Sequence, residues 1–169
     1  KLVNGSTKGD NDFATTEYVA DAGIKESIMI AFKDGAHEIK TIKLYPRVKG
    51  TAYNGGFPVD FTISVWNGTK WAEVVKKIGV VKNTEEPVSL DITPTVCNAL
   101  KIDVTKMGES ENKGKYTLQL AEIQAFGEKS SKKLAAPPTS TNTTQDGNGS
   151  TVTIDNNKNL ALNRPAKAS

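Results

Sequence analysis

The feature that most limits what this chain can fold into is a succession of short β-branched and aromatic runs, with turn residues between them and no amphipathic helix. The runs are SIMIAF (27–32), IKTIKLYPR (39–47), VDFTISVW (59–66), KWAEVVKKI (70–78), EPVSLDI (86–92), ALKIDVTK (99–106) and YTLQLAEIQAFG (116–127). Most alternate apolar and polar positions, the pattern of a strand with one buried face, and Gly, Pro, Asn and Asp separate them. About seven strands at a spacing of roughly ten to fifteen residues predict an antiparallel sandwich rather than a βαβ fold. VVKKIG (74–79) is short enough for a helical turn, but its adjacent valines favour strand. Asn67-Gly68 in WNGTKW, flanked by Trp66 and Trp71, is the strongest hairpin signal in the chain.

The periodicity stops near Gly127. EKSSKKLAAPPTSTNTTQDGNGS, from residue 128, is rich in Ser, Thr, Asn, Gly and Pro and poor in large apolar side chains. Such a stretch makes a flexible or extended connector and no core. The reading is therefore a sandwich over 1–127, a linker over 128–158, and a strand-like segment NLALNRPAKAS at 159–169. A chain of 169 residues with 37% hydrophobic side chains is enough for one such domain and a tail. No run of eighteen apolar residues occurs, so no segment is expected to insert in a membrane. KLVNGSTKGD lacks the basic start and apolar stretch of a signal peptide and reads as the start of a mature fragment. The 22 basic and 19 acidic residues are dispersed, and the net charge of +3 is no footprint for nucleic acid. Cys97, the one cysteine, sits in the apolar setting PTVCNALKI and reads as a buried, inert thiol.

Several separated pieces occur in the order of a known family: KLVNG, LYPR, GFPVDF, ALKIDVTK and the closing LAEIQAFG. Over nearly all of residues 1–127 the chain resembles the discoidin, or factor V/VIII type C, domains, and most closely the bacterial family 32 carbohydrate-binding modules. The resemblance implies an antiparallel jelly-roll sandwich of about eight strands, galactose-binding-like, with ligand loops at one end. It also implies that NLALNRPAKAS is a family opening segment standing at the C-terminus. Either it begins a following repeat, or it folds back and completes its own sandwich. A connector of about thirty residues spans roughly 30 Å as a coil, so self-closure and a monomer are the expectation. Donation in trans would instead join molecules head to tail.

By the same resemblance, Arg47 and Asn54 in PRVKGTAYNGG stand where galactose-binding members place an Arg and an Asn on sugar hydroxyls. A guanidinium supplies fixed donors and an amide both a donor and an acceptor, which suits hydroxyls. The alternative is that Arg47 finishes a strand and Asn54-Gly55-Gly56 is a turn requiring positive φ. Tyr53 and Tyr18 are candidates for the aromatic platform a pyranose face needs, with Tyr116 third. The family's Trp-His pair is replaced by FATTEY (13–18), which weakens galactose in particular. Trp66 and Trp71 are expected to be half-buried packing. His37 has no paired nucleophile, and no carboxylate pair has a spacing that supports glycosidase chemistry.

Many bacterial members also hold a structural calcium between the early loop and the last strand. Here carbonyls of Lys1 and Ala121 and side chains of Asn4, Asp10 and Glu122 are the matching oxygen donors. Asn4 replaces the usual Asp and removes a charge; an ion-free Asx turn is the alternative. The functional expectation is a non-catalytic carbohydrate-binding module of a secreted or cell-surface bacterial protein. It would bind a glycan and accompany the other domains of a larger enzyme or adhesin. A structural or adhesive spacer without sugar binding is the competing reading.

Overall fold

A computed structural model describes Gly5, Thr7, residues 13–138, and the strands at 141–145 and 151–155. In chain order the strands are β1 (Ala14–Thr15), β2 (Glu26–Ala31), β3 (His37–Pro46), β4 (Val48–Lys49), β5 (Ala52–Tyr53), β6 (Asp60–Trp66) and β7 (Trp71–Lys77). They continue with β8 (Val88–Cys97), β9 (Ala99–Lys106), β10 (Gly108–Glu109), β11 (Tyr116–Thr117), β12 (Gln119–Lys129), β13 (Thr141–Gln145) and β14 (Thr151–Asp155). Two four-stranded sheets, ordered β1-β12-β3-β8 and β2-β9-β6-β7, form an antiparallel β-sandwich, as the alternating runs predict.

The core lies where the buried faces of the two sheets meet. Ile42 and Leu44 of β3 alternate with outward Lys43 and Tyr45, and both are fully buried. Ile63 and Val65 of β6 stand opposite Ile102 and Leu100 of β9, and all four join one cluster with Leu120 and Ile123 of β12. Side chains two apart on a strand share a face, so these short runs suffice to build that cluster. Cys97 is fully buried, and burial pushes its thiol up to about 12, which leaves it unreactive at neutral pH.

Two boundaries differ from the sequence reading. β8 runs past Ile92 through Pro94 to Cys97; it is an edge strand, and a register shift between Ile39 and Thr41 of β3 accommodates the proline. β12 runs through Gly127 to Lys129, with a register shift between Phe126 and Gly127. A Cβ at Gly127 would collide with the Glu38 carbonyl, so this glycine permits close approach of β3 within the strand rather than ending it.

The polar stretch beyond β12 is not uniformly a tether. Ser130 N–H donates to the Ala36 carbonyl, and the Ala135 carbonyl accepts from Trp66 Nε1 at 2.8 Å and Asn98 Nδ2 at 3.0 Å. Residues 130–135 thus cross the end of the sandwich where β12 finishes and β6 turns. Trp66 is buried beneath them and meets Trp71 edge-on at 5.5 Å, in agreement with the packing role expected of this pair. Farther on, β13 and β14 pair with each other from Thr141↔Asp155 to Gln145↔Thr151. Segment 159–169, read as a strand, lies outside the described residues.

Candidate functional site

The opposite end of the sandwich gathers the polar residues. β3 ends at Pro46, and the chain turns through a small hairpin of β4 and β5. Asn54 N–H donates to the Arg47 carbonyl at 3.0 Å, so the two residues seven apart in sequence form the base of one loop. Asn54 is followed by Gly55 and Gly56 at φ +81° and +73°. A Cβ on Gly55 would lie 2.7 Å from the Glu109 carbonyl oxygen, and one on Gly56 2.8 Å from Gln119 Cβ. The turn expected of this dipeptide is therefore present, and it wedges the loop between β10 and the start of β12.

The Arg47 side chain is only 13% exposed. Its Nη1 donates to Gln119 Oε1 at 3.0 Å and to Glu111 Oε1 at 3.2 Å, while the guanidinium lies over the Phe13 ring at 3.8 Å from the centroid. The Tyr18 hydroxyl donates to Glu111 Oε1 at 3.0 Å and accepts from Gln119 Nε2 at 3.0 Å. Arg47, Glu111, Tyr18 and Gln119 thereby close a ring of hydrogen bonds. Burial opposes ionisation of Glu111, but its own backbone N–H, the Tyr18 hydroxyl and the Arg47 charge outweigh it. Together they hold the carboxyl below its ordinary range. Tyr18 keeps 40% of its surface exposed beside this ring.

Next to the ring lies a cleft of about 700 Å³, walled by Tyr53, Asn54, Val80, Lys82, Ser110 and Glu111. Tyr53 is half-buried; its hydroxyl accepts the Phe57 N–H at 3.1 Å, and burial raises its pKa. Among the described residues two buried donors have no partner: Arg47 Nε and Asn54 Nδ2. A buried amide donor is costly to leave unmade, and Asn54 carries this one in the cleft wall.

The structure thus brings Arg47, Asn54 and Tyr53 together on one hairpin and links Tyr18 to Arg47 through Glu111 and Gln119. Phe13, Glu111 and Gln119 were not singled out from the sequence. Gln119 carried a usable signal, a polar residue in the apolar run LQLAEI, and it is fully buried. Glu111, in the turn-rich GESENKGK, carried none.

Among the proposed calcium donors, Ala121 and Glu122 are adjacent in β12, and Glu122 is 3% exposed with its carboxylate accepting the Gly5 N–H at 3.1 Å. Lys1, Asn4 and Asp10 lie outside the described residues. Among the described residues no group of three or more His, Cys, Asp or Glu side chains comes together as a metal site. The buried carboxylate oxygens of Glu122, one of which accepts the Gly5 N–H, are of the type a hard cation takes.

No family model matches this chain, and no curated protein matches it. Solved structures do. A family 32 carbohydrate-binding module of a Clostridium perfringens family 31 glycoside hydrolase superposes with a TM-score of 0.57 at 18% identity, over 74% of this chain and 79% of that one. The chain has the fold of the family 32 carbohydrate-binding modules. The family 32 module of Clostridium perfringens NanJ, solved in complex with galactose, gives a TM-score of 0.53 at 16% identity over 72% of this chain and 88% of that one. A chitosan-binding module from a Paenibacillus chitosanase/glucanase gives 0.53 at 16% identity, over 73% and 79%. These three structural neighbours are carbohydrate-binding modules, and the first belongs to a glycoside hydrolase. No helix among the described residues is long and apolar enough to cross a membrane.

Proposed function

We propose that this domain is a non-catalytic carbohydrate-binding module that holds a glycan in the cleft beside Asn54, and that it serves a larger extracellular bacterial enzyme or adhesin. The observation that carries the reading is Asn54 in the cleft wall, its Nδ2 buried and without a partner among the described residues, on the loop whose base is Arg47. Once the Asn54 side chain turns into the cleft a sugar hydroxyl can accept its amide donor, and Ser110 and Glu111, which line the same cleft beside Gly55, offer acceptors in return. Tyr18, itself part of the ring and 40% exposed, offers an aromatic face. The sugar-binding modules of the same fold support the ligand class.

The test is a glycan array with the isolated protein, followed by titration calorimetry on any hit. Arg47→Ala should cost roughly 1.5–3 kcal/mol, about tenfold or more in Kd. Asn54→Ala should weaken binding with little change in melting temperature. Unchanged affinity in both variants would move the site elsewhere.

A spacer role has its own support, because Arg47 Nη1 is already engaged by Glu111 and Gln119 and Phe13 covers the guanidinium. No binding to any glycan on the array would favour it. A calcium ion held by Glu122 and the Ala121 carbonyl, with Lys1, Asn4 and Asp10, completes the proposal. Its role would be to fasten the early loop to β12.

A further inference from the structure

Along one side the described strands of the two sheets do not close on each other. Among the described residues, the outer edge of β12 is covered only by β1, through Ala14↔Leu120 and Thr15↔Gln119, so from Ile123 to Gly127 no strand lies beside it. On the other sheet, β2 is a terminal strand. Between them opens a slot of about 530 Å³, lined by Ile30, Phe32, Ile39, Leu100, Ile123 and Phe126. Phe126 keeps 41% of its surface exposed there. An unpaired backbone edge beside an apolar slot is a template for another strand.

We propose that this slot is filled by an added β-strand and that its occupant is residues 159–163 of the same chain, Asn-Leu-Ala-Leu-Asn. That segment lies outside the described residues, and three features support the assignment. Leu160 and Leu162 are two apart, so in an extended chain both face one side and Asn159, Ala161 and Asn163 the other. Five extended residues cover roughly 17 Å, the length of the uncovered stretch Ile123–Gly127. The third feature is the route of the chain. Asn98 donates its side-chain amide to the Ala135 carbonyl, and its own carbonyl accepts the N–H of Phe32, which lines the slot. The chain therefore passes one residue away from the slot's rim at Ala135.

The distance left to cover is short. Pairing of Thr141 with Asp155 returns the chain on itself at the base of the β13–β14 hairpin. Three residue steps lead from Pro138 to Thr141 and four from Asp155 to Asn159, a reach of up to roughly 30 Å with the width of the hairpin. A tether this short keeps the segment at an effective concentration of about millimolar, which favours the chain's own slot over that of a second copy.

Hydrogen–deuterium exchange on the full chain, followed by mass spectrometry, tests this independently of any glycan. Leu160→Asp/Leu162→Asp should raise exchange about tenfold or more in peptides covering 123–127 and 28–32, and leave β6 and β7 unchanged. Ala168→Asp, outside the five residues, should behave as the parent. Equal exchange at 123–127 in parent and double variant would overturn the proposal. Oligomers that grow with protein concentration and vanish in the double variant would overturn self-closure, because a second copy would then be the donor. Should the double variant lose protection in β6 and β7 as well, Ala161→Pro decides on the same readout, since it removes a ladder N–H and keeps both leucines.

Discussion

At the level of single residues the site is built from contacts that span the sequence. Arg47 meets Glu111 across 64 positions and Gln119 across 72. The residue types at 47 and 54 were legible, because an Arg closing a strand and an Asn before two glycines each have a local meaning. Glu111 was not, because nothing in its own neighbourhood indicates that it answers a guanidinium. Its role makes a pH prediction. The folded-state pKa of Glu111 lies below its ordinary 4.5, so the ion pair contributes stability that is present above that value and is lost as pH falls through the lower, folded-state one. The pair is partly solvated, so its worth is a few tenths to about 1 kcal/mol. In thermal melts between about pH 7 and pH 3, Glu111→Gln should lie below the parent at neutral pH and converge with it in acid. Parallel curves for the two proteins would mean that the pair carries no net stability.

The elements were read more completely than the site. ALKIDVTK was expected over 99–106, and β9 is Ala99–Lys106; SIMIAF differs from β2 by one residue. Period-2 alternation survives because each strand buries one face against the opposite sheet. What escaped were the two-residue strands β1, β4, β5 and β10, too short to alternate, the β13–β14 pair inside the stretch read as a linker, and the continuation of β8 beyond Ile92, where Pro94 looks like a stop and is instead tolerated on an edge. Segment 130–135 escaped for another reason. Its composition predicts no core, yet its backbone carbonyl at Ala135 answers two side-chain donors, from Trp66 and Asn98. Trp66→Phe, which removes one donor and keeps a smaller aromatic ring, should cost about 1 kcal/mol for the hydrogen bond, with lost packing in addition, and speed amide exchange in peptides covering 130–136. Unchanged exchange there would show that Asn98 alone holds the segment.

For the whole molecule, β12 is the strand on which the described N-terminal residues depend. Thr117 just before it, and Gln119 and Glu122 within it, are buried polar side chains that hold Thr15, Thr16, Tyr18 and Gly5. An ion at Glu122 would strengthen the same attachment. At a calcium concentration about a hundred times Kd, mass action adds roughly 2.7 kcal/mol, so melting temperature should rise with calcium and fall with chelator. Glu122→Gln should abolish the difference. Identical melts in the parent, with no bound metal by elemental analysis, would remove the ion from the account.

The cleft and the outgoing chain sit at opposite poles of the sandwich, with the ten residues of β3 and the eleven of β12 running between them. The ladder bonds joining these strands lie perpendicular to that axis. Tension applied between something gripped at Asn54 and whatever follows Ala135 therefore falls on the whole β3–β12 ladder at once, in shear, instead of peeling it bond by bond. A domain anchored in this way is built to hold under drag.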